Sequence, residues 1–276
     1  MFAHIIHDID PFLVKFGNWA FMEGIRWYGV CYATSFIVAL LMMNWYTDRE
    51  RSPFSRDQNV SFLSYGIVGV VVGGRLGYML MYNLSRFIHD PVSALRIWEG
   101  GMASHGGFVG VALAMWIFCK VHKVNLLELS DICSSIVPFG FFLGRIANFV
   151  NGELYGKISY VPWAVIFPQS DPEALLMDEI PPRHPSQLYE SFAEGLLLFM
   201  YMQLRFWFSK NPPRGQLTGE FLVGYSIARI VTEIYREVDA SKILSLSRGQ
   251  FFSVFLFIVG TTLICAARKR YRAYYY

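Results

Sequence analysis

Long apolar runs alternate with short charged loops along most of the chain. Seven of these runs have about the 20 residues that a helix needs to cross a bilayer. They are Trp19–Tyr46, Val60–Tyr82, Met102–Cys119, Leu129–Val150, Tyr189–Phe208, Leu217–Tyr235 and Phe251–Ala267. The pattern predicts an all-α, polytopic integral membrane protein with seven transmembrane helices.

The loops between these runs differ in their content of Lys and Arg. One face carries Arg49, Arg51, Arg56 and the basic tail after Ala267, and it holds more cations than the other face. Because cytoplasmic loops are enriched in Lys and Arg, we expect the C-terminus in the cytoplasm and the N-terminus outside. The N-terminus has no basic segment followed by an apolar run, so we expect no cleavable signal peptide.

The longest polar stretch covers residues 151–187 and is rich in proline. A connection of this length is expected to have ordered structure of its own. We therefore predict a single membrane domain over residues 1–276, into which a small periplasmic cap is inserted at residues 151–187.

Composition agrees with the membrane class and excludes several others. The chain is 54% hydrophobic and only 16% charged, whereas a soluble domain carries roughly 25% charged residues. A net charge of +3 is too small to indicate nucleic acid as a partner. The four cysteines show no CxxC spacing, and no HxxxH or HExxH pair occurs, so we predict no disulfide framework, no metal site and no cofactor.

Three arginines lie in the spans proper, Arg75, Arg145 and Arg229, whereas Arg26 and Arg205, near the ends of their runs, are counted with the flanking loops. A charge inside a span is costly and usually functional, and a guanidinium matches two phosphate oxygens at once. We interpret Arg145 and Arg229 as an anion site. The alternative, which stays open above all for Arg75, is pairing with a buried acid or with backbone carbonyls. Glu233 follows Arg229 by four residues and is expected to orient it.

Further polar residues stand near the ends of these runs. Asn148, Asn151 and Glu153 follow Arg145 at the end of the fourth run, where lipid-facing positions would not tolerate them. His105 begins a run within the sequence SHGG, whose glycines leave the backbone open to a ligand. An imidazole there can act as a general base for a thiol or hydroxyl, or it can be a structural histidine. We interpret His184, which lies among prolines, as part of the cap.

Six segments match one family. They are RWYG at Arg26–Gly29, GGRLGY at Gly73–Tyr78, EGGMASHGG at Glu99–Gly107, GRIANFVNGELYG at Gly144–Gly156, RHPSQLYE at Arg183–Glu190 and GYSIARIVTEIYRE at Gly224–Glu237. In this order, and over nearly the whole chain, they resemble the bacterial phosphatidylglycerol–prolipoprotein diacylglyceryl transferases. Ala147 stands where glycine is common in the family, which changes only a small packing position.

The resemblance implies an enzyme of the bacterial inner membrane whose active site faces the periplasm. Its substrates would be phosphatidylglycerol, drawn from the membrane lipids, and a preprolipoprotein signal peptide with its lipobox cysteine. The cysteine thiol would receive the diacylglyceryl group as a thioether, and glycerol phosphate would leave. Because the substrate supplies the nucleophile, none of this chain's own cysteines is needed.

The resemblance also implies roles for individual residues. His105, Arg145 and Arg229 would be catalytic, with His105 as the base and the two arginines on the headgroup phosphate. The other polar positions of the substrate site would be Tyr28, Asn148, Asn151, Glu153, Tyr225, Glu233 and Arg236.

The same residues are compatible with two other functions, which other features of the sequence disfavour. A non-enzymatic lipid or anion transporter could use the same arginines, but it predicts symmetric halves and broken helices, and no internal repeat is evident. A lipid enzyme of the alcohol-phosphotransferase type needs clustered aspartates for a divalent metal, and the apolar runs contain no such cluster.

Overall fold

The computed structural model describes most of the chain and is mostly helical. The described residues are 4–17, 23–97, 100–174, 176, 179–209, 212–237 and 243–275, with the backbone alone for Ser104, Tyr274 and Tyr275. The α-helices are α1 Trp27–Asp48, α2 Arg56–Tyr82, α3 Leu84–His89, α4 Ser104–His122, α5 Leu126–Val150, α6 Ser186–Glu190, α7 Leu198–Phe208, α8 Gln216–Thr232 and α9 Arg248–Tyr275. A π-helical segment, Ser191–Leu197, joins α6 to α7, and 3₁₀ turns lie at Pro91–Leu95 and Pro168–Ser170. The strands are β1 Ile5–Ile6, β2 Phe12–Lys15, β3 Gly24–Arg26 and β4 Val165–Ile166.

Among the described residues, five helices are long and apolar enough to cross a membrane: α1, α2, α4, α5 and α9. Many of their large apolar side chains are exposed, including Leu41, Val68, Trp116 and Phe255. Exposed apolar side chains at this density indicate lipid as the neighbour. The chain is a multi-pass membrane protein. The other two predicted spans correspond to the segment from α6 through α7 and to α8; that they cross, and the orientation of the chain, stay predictions.

The start of the first span at Trp19 is wrong. Strand β3 pairs antiparallel with β2, and α1 begins only after it. Glu23 and Arg26 are polar and exposed, and they pair with each other 3.3 Å apart, so the apolar helix begins only after them. The Arg26 guanidinium also lies over the ring of Phe12, 4.6 Å from its centroid. Residues 19–22 lie outside the described part of the chain.

Helix α8 also ends three residues earlier than predicted, at Thr232. The backbone carbonyl groups of the residues after Thr232 accept hydrogen bonds from the segment that follows α5, and not from further residues of a longer α8. The Lys157 amide donates to the Tyr235 carbonyl at 2.9 Å, and its ammonium donates to the Ile234 carbonyl at 2.7 Å. Glu233 and Arg236 therefore lie on a turn that these bonds hold in place.

The chain divides into two compact units, residues 1–39 with 131–276, and residues 40–130. The predicted single domain with an insertion at 151–187 stays a prediction. In the first unit, β1 pairs parallel with β4, so the N-terminal residues add a strand to the 151–187 segment. Helices α8 and α9 approach closely at Gly219, where an added Cβ would lie 2.7 Å from the Gly260 carbonyl oxygen.

In the second unit, α2 and α4 pack through glycines. An added Cβ at Gly77 would lie 2.7 Å from the Cα of Gly106, and one at Gly110 would overlap the carbonyl oxygen of Gly69. Small residues at such crossings let helix backbones approach and gain van der Waals contact, which is a main source of helix association in membranes.

Replacing Gly110 by alanine is therefore expected to destabilise this unit. The added methyl group must push α2 and α4 apart, and overpacking of this kind costs about 1–3 kcal/mol. Thermal unfolding of the purified protein in detergent measures the loss. Gly66→Ala on α2 is the matched control, because nothing lies within 4 Å of a Cβ there; equal melting temperatures for the two variants would contradict the packing argument.

Arg75, also in the second unit, is buried, and all its hydrogen-bond acceptors in the described structure are backbone carbonyls; its guanidinium also lies 5.9 Å from the centroid of the Tyr78 ring. Its guanidinium donates to the carbonyl oxygens of Ala94 at 3.1 Å, Ser93 at 2.6 Å, Arg96 at 2.8 Å and Gly101 at 3.2 Å, and to that of Gly100. These bonds fasten the segment between α3 and α4 to α2. For this arginine the structural alternative is the correct one.

Candidate active site

The end of α5 turns back on itself and forms a polar mouth. Gly152 adopts a positive φ of 66°, which glycine tolerates at no steric cost, and the Glu153 amide donates to the Asn148 carbonyl at 3.1 Å. The turn brings the Glu153 carboxylate onto α5, where it accepts from Asn148 Nδ2 at 2.8 Å and from Asn151 Nδ2 at 3.4 Å. The Asn148 side chain also hydrogen-bonds the Tyr28 hydroxyl, so these four predicted site residues lie together.

Arg145 lies one turn before Asn148 on α5, and its guanidinium faces two buried carboxylates. Its Nη1 is 2.9 Å from Glu190 Oε2, and its Nη2 is 3.2 Å from Glu194 Oε2. The two glutamates belong to α6 and the π-helical segment, one turn apart. Both are 1% exposed, whereas Arg145 is 19% exposed.

Arg229 on α8 reaches the same carboxylates from the other side. Its Nη1 is 3.0 Å from Glu190 Oε2 and 3.3 Å from Glu194 Oε1, and its Nη2 is 2.7 Å from Glu233 Oε2. The pairing of Arg229 with Glu233 is the one that the spacing predicted. Arg236 also approaches Glu190 Oε2, at 3.7 Å. We call these three arginines and the glutamates Glu190, Glu194 and Glu233 the arginine cluster.

The three carboxylates of the arginine cluster are held differently. Glu194 accepts hydrogen bonds from Arg145, from Arg229 and from the Thr232 hydroxyl. Glu233 accepts one from the Ser247 hydroxyl at 2.7 Å. Glu190 lies within ion-pairing distance of its arginines, but neither of its oxygens has a hydrogen-bond partner of good geometry among the described residues. The charge of Glu190 is therefore balanced by ion pairs with three arginines and not by hydrogen bonds of good geometry.

Local sequence explains why Glu190 and Glu194 face α5. The Ser191 hydroxyl donates to the carbonyl of Phe142 at 3.0 Å. Gly195 lies against the same residue, since an added Cβ would be 2.5 Å from the Phe142 Cα. The π-helical segment between them widens the helix by one residue per turn, a distortion that is frequent at functional sites.

Comparison with known proteins identifies the family. Residues 15–266 match the family described as "Prolipoprotein diacylglyceryl transferase". Proteins named phosphatidylglycerol–prolipoprotein diacylglyceryl transferase are similar over nearly their whole length. The relative from Aeromonas salmonicida is 39% identical over 96% of this chain and 93% of its own. Those from Rickettsia canadensis (40% identical, 95% and 98% covered) and Pseudoalteromonas translucida (41%, 95% and 94%) are equally close.

The chain belongs to the prolipoprotein diacylglyceryl transferase family. This membership confirms the resemblance seen in the sequence. Of the site residues that the resemblance implied, the structure brings Arg145, Arg229, Glu233 and Arg236 into the arginine cluster. The phenol of Tyr225 interacts electrostatically with Arg145 and Arg229 and lies beside Phe141, with 5.3 Å between ring centroids.

His105 is placed differently from the other predicted site residues. It lies in the first turn of α4, within the unit formed by residues 40–130, and its side chain is exposed. The arginine cluster and the polar mouth lie in the other unit. That His105 acts as a base therefore stays a prediction from the family motif.

Sequence reasoning missed the two glutamates at the centre of the site. Glu190 and Glu194 lie one turn apart in the predominantly apolar segment from Tyr189 to Phe208. The cost of an ionised side chain in lipid applies to carboxylates as it does to guanidinium groups. Glu190 and Glu194 are therefore marked in the sequence by the same signal as Arg145, an ionisable side chain inside an apolar run.

The segment 151–187 holds a separate aromatic group. Trp163 Nε1 donates to the Tyr189 hydroxyl at 2.7 Å, and that hydroxyl lies 3.1 Å from His184 Nδ1. Burial, and then the charge of Lys157, lower the pKa of His184 below its ordinary value, so this imidazole is neutral at pH 7. Among the described residues, no group of three or more His, Cys, Asp and Glu side chains is placed to hold a metal ion.

Proposed function

We propose that this protein transfers the diacylglyceryl group of phosphatidylglycerol to the lipobox cysteine of preprolipoproteins. The thiol gives its proton to a base, for which His105 is the predicted candidate, and the sulfur attacks the glyceryl C3. A thioether forms, and the carbon–oxygen bond to phosphate breaks with its electron pair on the departing glycerol phosphate. The proposal is supported by family membership over nearly the whole chain.

One observation connects this reaction to the geometry. Two guanidinium groups from different helices, those of Arg145 and Arg229, meet at a single carboxylate oxygen, Glu190 Oε2, at 2.9 and 3.0 Å. Two cations that converge on one anionic oxygen can equally converge on an oxygen of a phosphate. In a site largely closed to water, they would stabilise the negative charge that gathers on the departing phosphate.

The proposal includes a location and a topology. We place the protein in the bacterial inner membrane with seven spans, the N-terminus outside and the C-terminus in the cytoplasm. The site then faces the periplasm, where the 151–187 segment forms the cap of a single membrane domain. The polar mouth formed by Tyr28, Asn148, Asn151 and Glu153 would bind substrate beside the arginine cluster, while the acyl chains stay in the bilayer.

Purified protein with phosphatidylglycerol and a synthetic lipobox peptide tests the proposal. We expect glycerol phosphate and a lipidated peptide in equal amounts. A peptide with serine in place of the lipobox cysteine is the control and should give neither product. If the protein binds or moves the lipid but releases no glycerol phosphate, the non-enzymatic lipid transporter becomes the better account.

The predicted role of His105 is tested by two substitutions. If it is the base, His105→Asn and His105→Gln should both slow transfer strongly while the KM for phosphatidylglycerol changes little, since general bases contribute about 10²–10⁴-fold. The matched control is His122→Gln, at the other end of α4. If His105→Gln keeps most of the transfer rate, His105 is not the base and only orients the substrate.

A further inference from the structure

The arginine cluster has no net charge when all of its groups are ionised. Three guanidinium groups face three carboxylates. A phosphodiester that enters this site adds one negative charge to surroundings that are mostly buried. Burying an uncompensated charge is strongly unfavourable. The headgroup therefore needs either a cation that enters with it or a carboxylate of the cluster that becomes neutral.

Of the three carboxylates, Glu190 is the one whose charge is held by ion pairs without hydrogen bonds, so it loses least by taking up a proton once a phosphate replaces it at those arginines. Hydrogen bonds to a carboxylate stabilise its charged form, and Glu194 and Glu233 accept such bonds, whereas Glu190 accepts none among the described residues. At 1% exposed, Glu190 also has no water shell to replace them.

Glu190 occupies the point that the phosphate would need. Its Oε2 atom is the place where the guanidinium groups of Arg145 and Arg229 meet. While this oxygen carries a charge, it competes with the headgroup for both arginines. A proton on Glu190 removes that competition and restores electroneutrality with the headgroup bound.

We propose that Glu190 is an internal placeholder for the lipid phosphate, and that binding of the anionic headgroup is coupled to uptake of one proton by Glu190. The proton comes from water, and no covalent bond of the lipid changes in this step. Glu190 is thus a positioning residue, which keeps the two guanidinium groups together and neutralised until the phosphate takes its place. The inference rests on the proposed function, because that function supplies phosphatidylglycerol as the ligand.

Other charged and titratable groups face Glu190 from each element packed around it. They are Arg145 on α5, Glu194 on the π-helical segment, Tyr225, Arg229 and Glu233 at α8, and Arg236 just beyond it. Arginine keeps its proton throughout the accessible pH range, and a phosphodiester stays singly charged above about pH 3. A proton taken up near neutral pH therefore goes to a carboxylate.

Calorimetry with a short-chain lipid tests the coupling directly. Dihexanoyl phosphatidylglycerol is titrated into the detergent-solubilised full chain in two buffers of different ionisation enthalpy, which gives the number of protons taken up per lipid. We expect about one for the wild type and about none for Glu190→Gln. Because protonation favours binding, affinity should fall as pH rises, by about tenfold per pH unit once Glu190 is ionised in the free protein.

Steady-state kinetics gives an independent measurement of the same coupling. The KM for phosphatidylglycerol should rise with pH in the wild type and stay flat in Glu190→Gln. The matched control is Glu220→Gln, which removes a half-buried carboxylate of α8 that pairs with Arg205 of α7 at 2.7 Å; this variant should keep the wild-type pH dependence. A purely structural role for Glu190 would lower the melting temperature and the rate of the variant without removing the pH dependence of KM.

Two results would overturn the proposal: no proton uptake by the wild type, or a Glu190→Gln variant whose uptake or KM profile equals that of the wild type. If that variant does not insert into membranes, the wild-type calorimetry decides alone. A wild type that releases glycerol phosphate but takes up no proton would leave the proposed function intact and remove this role of Glu190. A wild type that releases none would overturn the proposed function itself.

Discussion

Replacing Arg145 or Arg229 by lysine is expected to lower the transfer rate several-hundred-fold while the protein still inserts. Lysine keeps the positive charge that Glu190 and Glu194 require. A single ammonium group, however, cannot match two phosphate oxygens at the angles of a guanidinium fork. Loss of one preorganised donor at a site of developing charge typically costs about 3–4 kcal/mol in the barrier.

Alanine at either position is expected to abolish transfer, but it is the less specific change. It leaves Glu190 and Glu194 buried with one cation fewer, and removing one partner of a buried ion pair costs about 3–5 kcal/mol of stability. The lysine variants are therefore the ones that test catalysis. The quantity to measure is kcat in the glycerol phosphate assay, on equal amounts of membrane-inserted protein.

Arg205→Lys is the control for these substitutions. Arg205 on α7 forms a two-pronged ion pair with Glu220 on α8, with both nitrogen–oxygen distances at 2.7 Å. It thus resembles Arg145 and Arg229 in its pairing but lies outside the arginine cluster. We expect Arg205→Lys to change stability slightly and kcat little. Near-normal kcat in Arg145→Lys or Arg229→Lys would remove the phosphate role of that residue.

Much of the helical structure could be predicted because lipid imposes a simple rule on sequence. A spanning segment must be apolar over its length and must satisfy its backbone hydrogen bonds internally, so helices such as α5 and α9 are visible as apolar runs. The residues at which the helices end were less predictable. Helix α8 ends at Thr232 because carbonyl groups beyond it bind Lys157, which is 77 residues away in sequence and leaves no trace in the local pattern.

In the candidate site too, contacts between residues close in sequence could be predicted, and contacts between distant segments could not. The pairing of Arg229 with Glu233 follows from a spacing of one helical turn, and it is present. The convergence of Arg145 and Arg229 on Glu190 joins three segments that are far apart in sequence, and helical periodicity carries no information about it. The lack of a hydrogen-bond donor to Glu190 among the described residues is likewise a property of the packed site.

The environment of each intramembrane arginine separates structural from functional roles. Arg75 is matched by neutral carbonyl groups, which hold it permanently and offer no charge that a substrate could replace. Arg145 and Arg229 are matched by carboxylates, and an anionic ligand can compete with those. Sequence alone could not make this distinction, since all three residues are arginines within apolar runs.

Replacing Arg75 by methionine is therefore expected to unfold the protein locally rather than to stop the chemistry. The substitution fills most of the volume but leaves the carbonyl groups of the segment between α3 and α4 without donors. Each buried acceptor left unpaired costs about 1–3 kcal/mol, so a total loss above about 3 kcal/mol is expected. It should appear as a lower yield of inserted protein and a lower melting temperature in detergent.

The activity of the folded fraction of each Arg75 variant distinguishes a structural role of this arginine from a functional one. Arg75→Lys should recover part of the stability, because an ammonium has three donors where the guanidinium uses its full fork. Per folded molecule, kcat for both Arg75 variants should stay within a few-fold of the wild type, in contrast to Arg229→Lys, whose yield is kept and whose kcat is lost. A stable Arg75→Met protein with no activity would mean that Arg75 contacts the substrate, and that the carbonyl groups around it are no guide to its role.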